Sequence, residues 1–207
     1  MKTELLMTVD YIINDEKRGK NSGRRLGMIS ELKILSNSVS WSFNDEEIII
    51  RLNNVFFAAE NRMLNLVKID TGKNFIEKKC FFYNYDGSLK LCYDLELGSI
   101  EWNEGGINRY LCITNLDQVG FFPQKGRILI ITNDNKQELR GYTLEGKLLF
   151  STGGPLGFHM KFFTMEHEKV IVTCDGDKKN EDTYGRFRYN FYVDLDSGEF
   201  VKGGLAY

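Results

Sequence analysis

The chain has 207 residues, 42% of them hydrophobic and 27% charged, which is enough apolar material for one sizeable core and too much for a disordered segment. A formal net charge of −2 excludes a global field that would draw the chain onto nucleic acid or an anionic membrane. The longest apolar runs, such as that inside Arg127-Ile-Leu-Ile-Ile-Thr132, fall far short of the roughly 20 residues needed to cross a bilayer.

In chain order, the first residues place Glu4 and Asp10 around an apolar stretch too short for a secretion signal, so a cytoplasmic location is expected. Five basic side chains follow in Lys17-Arg-Gly-Lys-Asn-Ser-Gly-Arg-Arg25, and residues 15–26 read as a flexible basic loop. It lacks the order of a Walker loop, and Asp15 and Glu16 stand directly before it. A surface loop is favoured over a nucleic-acid clamp. Met28-Ile-Ser-Glu-Leu-Lys-Ile-Leu35 has room for two helical turns, but no longer stretch holds a 3.6-residue period.

The remainder reads as β-structure. Only two prolines occur, whereas 20 glycines punctuate the chain, many in turn dipeptides such as Asp86-Gly87, Glu145-Gly146, Asp175-Gly176 and Ser197-Gly198. The strongest strands are predicted at 48–52, 127–132, 169–173 and 186–194, where Ile, Val, Phe, Tyr and Thr concentrate. Ile48-Ile-Ile50, Ile128-Leu-Ile-Ile131 and Val170-Ile-Val172 are apolar on both faces, which predicts burial on both sides. Phe187, Tyr189, Phe191 and Val193 alternate with polar neighbours, the pattern of a half-buried strand. In the pairs Phe56-Phe57, Phe81-Phe82, Phe121-Phe122 and Phe162-Phe163 one ring faces inward. Its neighbour faces outward, to be covered by another sheet or offered to a partner.

A turn pattern recurs: Val67-Lys-Ile-Asp-Thr-Gly-Lys-Asn-Phe75, Cys92-Tyr-Asp-Leu-Glu-Leu-Gly-Ser-Ile-Glu-Trp102, Gly141-Tyr-Thr-Leu-Glu-Gly-Lys-Leu-Leu-Phe150 and Tyr192-Val-Asp-Leu-Asp-Ser-Gly-Glu-Phe200. Its glycines, Gly72, Gly98, Gly146 and Gly198, stand 26, 48 and 52 residues apart, and the last two spacings suit a four-stranded propeller blade. The Cys92 and Tyr192 segments resemble the turn between the outer strands of β-propeller blades, with the Asp, Gly and aromatic pattern of quinoprotein-type repeats. The resemblance runs as a rhythm from Ile48 to Phe200, without the Trp-Asp dipeptide or the Gly-His of WD40 repeats. It implies a single all-β domain over 1–207, built as a small propeller or propeller-like repeat of about four blades. A β-sandwich or open barrel is the alternative.

No catalytic set, cofactor loop or metal site is identified. His159 and His167 would stand about 26 Å apart along one strand at ~3.3 Å per residue, and His167 reads as a turn residue. The four cysteines never come closer than 12 positions, which excludes a CxxC pair; Cys80, Cys112 and Cys174 read as buried free thiols. Asp175-Gly-Asp-Lys-Lys-Asn-Glu-Asp182 fails the calcium-loop pattern, because Lys179 and Asn180 occupy its fifth and sixth positions. It reads as an acidic loop.

The absence of a catalytic constellation favours a non-enzymatic protein-binding module. In general character the chain resembles small bacterial immunity proteins, which implies a basic toxin partner, such as a nuclease. The partner-binding candidates are Asp175, Asp177, Glu181 and Asp182, with Asp94, Glu96, Glu101 and Glu104. The alternatives are a small-propeller hydrolase or lyase using His159 and loop carboxylates, and a carbohydrate- or nucleotide-binding sensor.

Overall fold

The computed structural model describes residues 29–206, and the basic loop expected at 15–26 lies outside the described residues. The described chain is all β, in four antiparallel sheets that follow one another in sequence. The first holds β1 (Ser30–Leu35), β2 (Ser38–Phe43) and β3 (Glu46–Arg51). Six strands make the second: β4 (Val55–Asn61), β5 (Leu66–Lys73), β6 (Ile76–Asn84), β7 (Leu89–Asp94), β8 (Ser99–Glu104) and β9 (Ile107–Cys112). The third is β10 (Leu116–Phe122), β11 (Arg127–Asn133), β12 (Gln137–Thr143) and β13 (Leu148–Gly153). The fourth is β14 (Phe158–Glu166), β15 (Lys169–Gly176), β16 (Arg188–Val193) and β17 (Phe200–Leu205). In each sheet, consecutive strands pair in order.

Local sequence explains the hairpins. Asn44-Asp45, Asn74-Phe75, Gly105-Gly106 and His167-Glu168 each form a two-residue turn with both φ angles positive, the geometry whose twist matches that of the paired strands. Within the stretch with room for a helix, Ser30–Leu35 folds instead as β1. Lys33, Ile34 and Leu35 pair with Ser40, Val39 and Ser38, and that pairing overrides a weak helical pattern.

Three apolar layers hold the sheets together in chain order. Val39, Trp41 and Ile50 of the first sheet meet Val67, Ile69 and Tyr83 of the second. On the opposite face of the second sheet, Leu91, Ile100 and Trp102 meet Phe121, Ile128 and Ile130 of the third. Leu129, Ile131 and Leu139 of the third then meet Met160, Val172 and Phe191 of the fourth. Ile128 to Ile131 are thus fully buried, alternately against two different sheets, and Val170 to Val172 are buried as expected. Ile48-Ile-Ile50 behaves differently: Ile50 is buried but Ile49 is exposed, because the first sheet packs on one face only among the described residues. The aromatic pairs follow the same logic. Phe81 turns to the first sheet and Phe82 to the third; Phe121 turns to the second and Phe122 to the fourth.

One contact recurs at each layer. Trp41 Nε1 donates to Tyr85 O at 2.7 Å, Trp102 Nε1 to Leu144 O at 2.7 Å and Arg127 Nε to Leu195 O at 3.2 Å. Each acceptor lies in the turn joining the third and fourth strands of the following sheet. A glycine follows it, Gly87, Gly146 or Gly198, that lets the turn settle on the preceding sheet. At Gly198, with φ +76°, an added Cβ would lie 2.4 Å from the Phe150 ring. The recurring glycines at 146 and 198 are therefore structurally equivalent, and their partner is Gly87. Gly98 instead turns β7 into β8 within the second sheet, and Gly72 lies inside β5 at a register shift.

Trp102→Phe removes the indole N–H and leaves the Leu144 carbonyl unpaired. The expected loss is about 1–3 kcal/mol of unfolding free energy, read by urea denaturation, in a chain that keeps its β-type circular dichroism. An unchanged urea midpoint would show that the contact does not hold the layer.

Candidate functional site

The eight carboxylates singled out in the sequence fall into two groups with the third sheet between them. Asp175, Asp177, Glu181 and Asp182 lie at and after the end of β15. Asp94, Glu96, Glu101 and Glu104 lie along β7 and β8. Most are met by cations of the same chain. Asp175 receives Arg188 Nε at 2.7 Å and has Lys161 at 3.7 Å, while Asp182 receives Arg186 Nε at 2.7 Å and the N–H groups of Tyr184 and Arg186. Buried Asp94 takes Lys79 at 2.8 Å and the N–H groups of Glu96 and Leu97. Glu96 pairs with Lys78, and Glu104 with Lys90 at 2.9 Å. Among the described residues Asp177, Glu181 and Glu101 alone of the eight make no ion pair, and Asp177 caps the short turn Lys178–Asn180. The Arg188 hydrogen bond holds the Asp175 carboxyl below its ordinary range. For Asp94, burial works against ionisation, but Lys79 and the two N–H donors outweigh it and the net shift is downward.

The histidines do not converge. His159 Nδ1 lies 3.0 Å from Met160 O near the start of β14, and His167 occupies the exposed turn beyond its end. Asp175, the register partner of His159, is engaged by Arg188. Among the described residues no group of three or more His, Cys, Asp or Glu side chains could hold a metal ion. Cys80 and Cys174 are buried free thiols, but Cys112 is exposed, on the edge strand β9 of the second sheet. Burial pushes the Cys174 thiol up to about 12.

Two features of the structure were not among the sequence candidates. The first is one end of the second sheet, from which the β5–β6 and β7–β8 hairpins both project. Phe75 is 83% exposed, Ile76 64% and Leu97 71%, with the Phe56 ring edge-on to Phe75 at 6.1 Å. The ion pairs Lys78–Glu96 and Lys79–Asp94 run between β6 and the β7–β8 hairpin. Placing the turn at Gly72 makes Phe75 an ordinary strand residue. The actual turn, Asn74-Phe75, puts an aromatic at φ +60°, where asparagine or glycine is usual.

The second feature is a cavity of about 350 Å³ where the second, third and fourth sheets meet. Lys68, Glu77 and Tyr93 reach it from β5, β6 and β7, and Gln118 from β10. Phe82, Phe121, Phe122 and Phe163 supply aromatic walls. Gly120 permits the close approach of β14, since a Cβ there would lie 2.8 Å from the Phe163 ring. Lys68 Nζ lies 2.9 Å from Asp70 Oδ2 and 3.6 Å from Glu77 Oε2, and the Tyr93 hydroxyl donates to Glu77 Oε1 at 2.7 Å. Asp70, Cys80 and Tyr93 are register partners across three strands. Asp70 is only 5% exposed, and its Oδ1 has no hydrogen-bond partner. Burial opposes the charge on Lys68, yet Cys80, Asp70 and Glu77 more than offset it, so the ammonium is held above its ordinary value. Burial, foremost, pushes the Tyr93 hydroxyl well up, which keeps it a neutral donor. In the sequence, Lys68 and Asp70 alternate with Val67 and Ile69, which looks like a solvated face; in the structure Lys68 lines the cavity and Asp70 is buried beside it.

No protein-family model matches the chain, and no curated protein matches it in sequence.

Two outcomes follow from these geometries. Asp94 and Asp175 have lowered folded-state pKa values against about 3.9 unfolded, so their stabilisation is present above about pH 4 and is lost as pH falls through the folded values. Urea midpoints should fall between pH 6 and pH 3, and Asp94→Asn should flatten that slope; an equal slope in the variant would remove Asp94 as a cause. Replacing His159 and His167 together with Gln should leave the urea midpoint and the circular dichroism unchanged. A collapsed midpoint would show that one of them is structural.

Proposed function

We propose that the protein is a non-enzymatic protein-binding module, most concretely a bacterial immunity protein that binds and neutralises a basic toxin domain such as a nuclease. The observation that carries this reading is the exposed apolar end of the second sheet. A bulky ring in a left-handed turn costs roughly 1–3 kcal/mol, and leaving Phe75, Ile76 and Leu97 in water forgoes their burial. A partner that covers these side chains recovers the second cost. Asp94, Glu96 and their lysines border the apolar tips, giving a central anchor with a charged rim. The unpaired carboxylates Glu101 and Glu181 add negative charge that steers a basic partner at encounter.

The frame suits this role. Four meander sheets follow in order, β1 lies beside β4 and β10 beside β14, and the second and third sheets pack on both faces. These features support a small propeller-like repeat of about four blades over a two-layer sandwich.

The test is co-expression with candidate basic toxins, followed by size-exclusion chromatography and association kinetics. A stoichiometric complex is expected. Phe75→Ser with Ile76→Ser and Leu97→Ser should weaken it by at least about 100-fold, as loss of a buried anchor does. Neutralising Asp175, Asp177, Glu181 and Asp182 together should slow association and flatten its salt dependence. Protection of cells with no detectable complex would sink the reading.

A further inference from the structure

We infer that the cavity between the second, third and fourth sheets binds a small organic cation, an ammonium group carried on a flat apolar body. The inference is independent of the protein-binding reading and rests on the charge, lining and size of the cavity. One ammonium, Lys68, faces two carboxylates, Asp70 and Glu77, so the cluster carries a formal excess of one negative charge. Buried charge of that kind is costly unless paired. Asp70 does not line the cavity but holds the Lys68 ammonium at 2.9 Å, which leaves Glu77 as the carboxylate at the cavity wall. An incoming anion would meet a lysine already held by two carboxylates and would double the excess. A cation cancels it.

The walls select the rest of the ligand. Phe82 and Phe121 lie 5.8 Å apart and tilted, while Phe122 and Phe163 meet edge to face at 6.1 Å. Rings of this density offer apolar contact and π faces, which attract an ammonium on an apolar body. The donor set for a metal is missing among the described residues. Tyr93 and Lys68 fix Glu77 from two sides, so its carboxylate is oriented before a ligand arrives. At about 350 Å³ the space sits at the lower end of small-molecule sites, which suits a body of one ring with a short amine arm.

The experiment is calorimetric titration of the full chain with four probes that share one ring: phenethylamine, phenethyltrimethylammonium, 2-phenylethanol and phenylacetate. Both cations should bind saturably and at least about tenfold more tightly than the alcohol, and phenylacetate should not bind. Glu77→Gln should weaken phenethylamine at least about tenfold and leave 2-phenylethanol unchanged. Phe163→Leu should weaken all binding probes together. Equal affinity for amine and alcohol, no saturable binding of either cation, or an unchanged amine affinity in Glu77→Gln would overturn the inference. The probe comparison uses the unaltered protein, so it decides the matter even where a variant fails to fold. Loss of toxin binding with amine binding intact would separate the failure of the two readings.

Discussion

Burial on both faces of the second and third sheets is the constraint on which the rest of the structure depends. The centre of a strand between two sheets is apolar on both faces, as in β11, where Ile128, Leu129, Ile130 and Ile131 have no exposed surface. Each such side chain contributes roughly 1.5–3 kcal/mol by leaving water. Apolar contact alone does not fix how far one sheet slides over the next. The directional part comes from Trp41, Trp102 and Arg127, each reaching across a layer to a turn carbonyl. A buried carbonyl without a donor is expensive, so these bonds select one docking position among many of similar apolar area.

Stacking of this kind consumes sheet faces and leaves function to the remaining surfaces. Strand ends and edges stay open, as do the gaps where sheets converge. At one end of the second sheet the open surface holds Phe75, Ile76 and Leu97. Where three sheets converge, β10 and β14 approach through Gly120, and the space beside them becomes the cavity. The fold thus accounts for the position of both features. It does not require their chemistry, since a polar turn at 74–75 and an apolar pair in place of Lys68 and Asp70 would also complete the sheets.

The sequence made the β class readable, because glycine turns and two-faced apolar runs are local signals. The equivalence of Gly146 and Gly198 was visible for the same reason. Gly87 was harder to recognise, as Tyr85-Asp86-Gly87 lacks the leucine seen in the other turns and its partner Trp41 lies 44 positions upstream. Ile49 misled because three isoleucines in a row look alike whether a strand has one covered face or two. The acidic candidates were located but their state was not. Arg188 is 13 positions from Asp175, and only the pairing of β15 with β16 brings them into contact. The cavity was the least legible feature, since Lys68, Glu77 and Tyr93 become neighbours only through the registers of three strands.

Asp70 and Asp94 show why one buried carboxylate belongs to the fold and the other to a site. Both lie in the second sheet, on opposite faces, and both are about equally buried. Asp94 ends its strand, so the N–H groups of Glu96 and Leu97 fold back onto one oxygen while Lys79 meets the other. Its hydrogen-bonding capacity is met by the turn that it shapes. Asp70 lies within β5, where neighbouring N–H groups are committed to the strand ladder and cannot turn inward. Lys68 meets one oxygen and the other is left without a donor. A fold that needed only stability would gain from an apolar residue at that position, because a half-satisfied buried charge is worse than none. Asp70 does not line the aromatic cavity; it engages Lys68, so the carboxylate that faces the cavity is Glu77, held by Tyr93 and only distantly by Lys68.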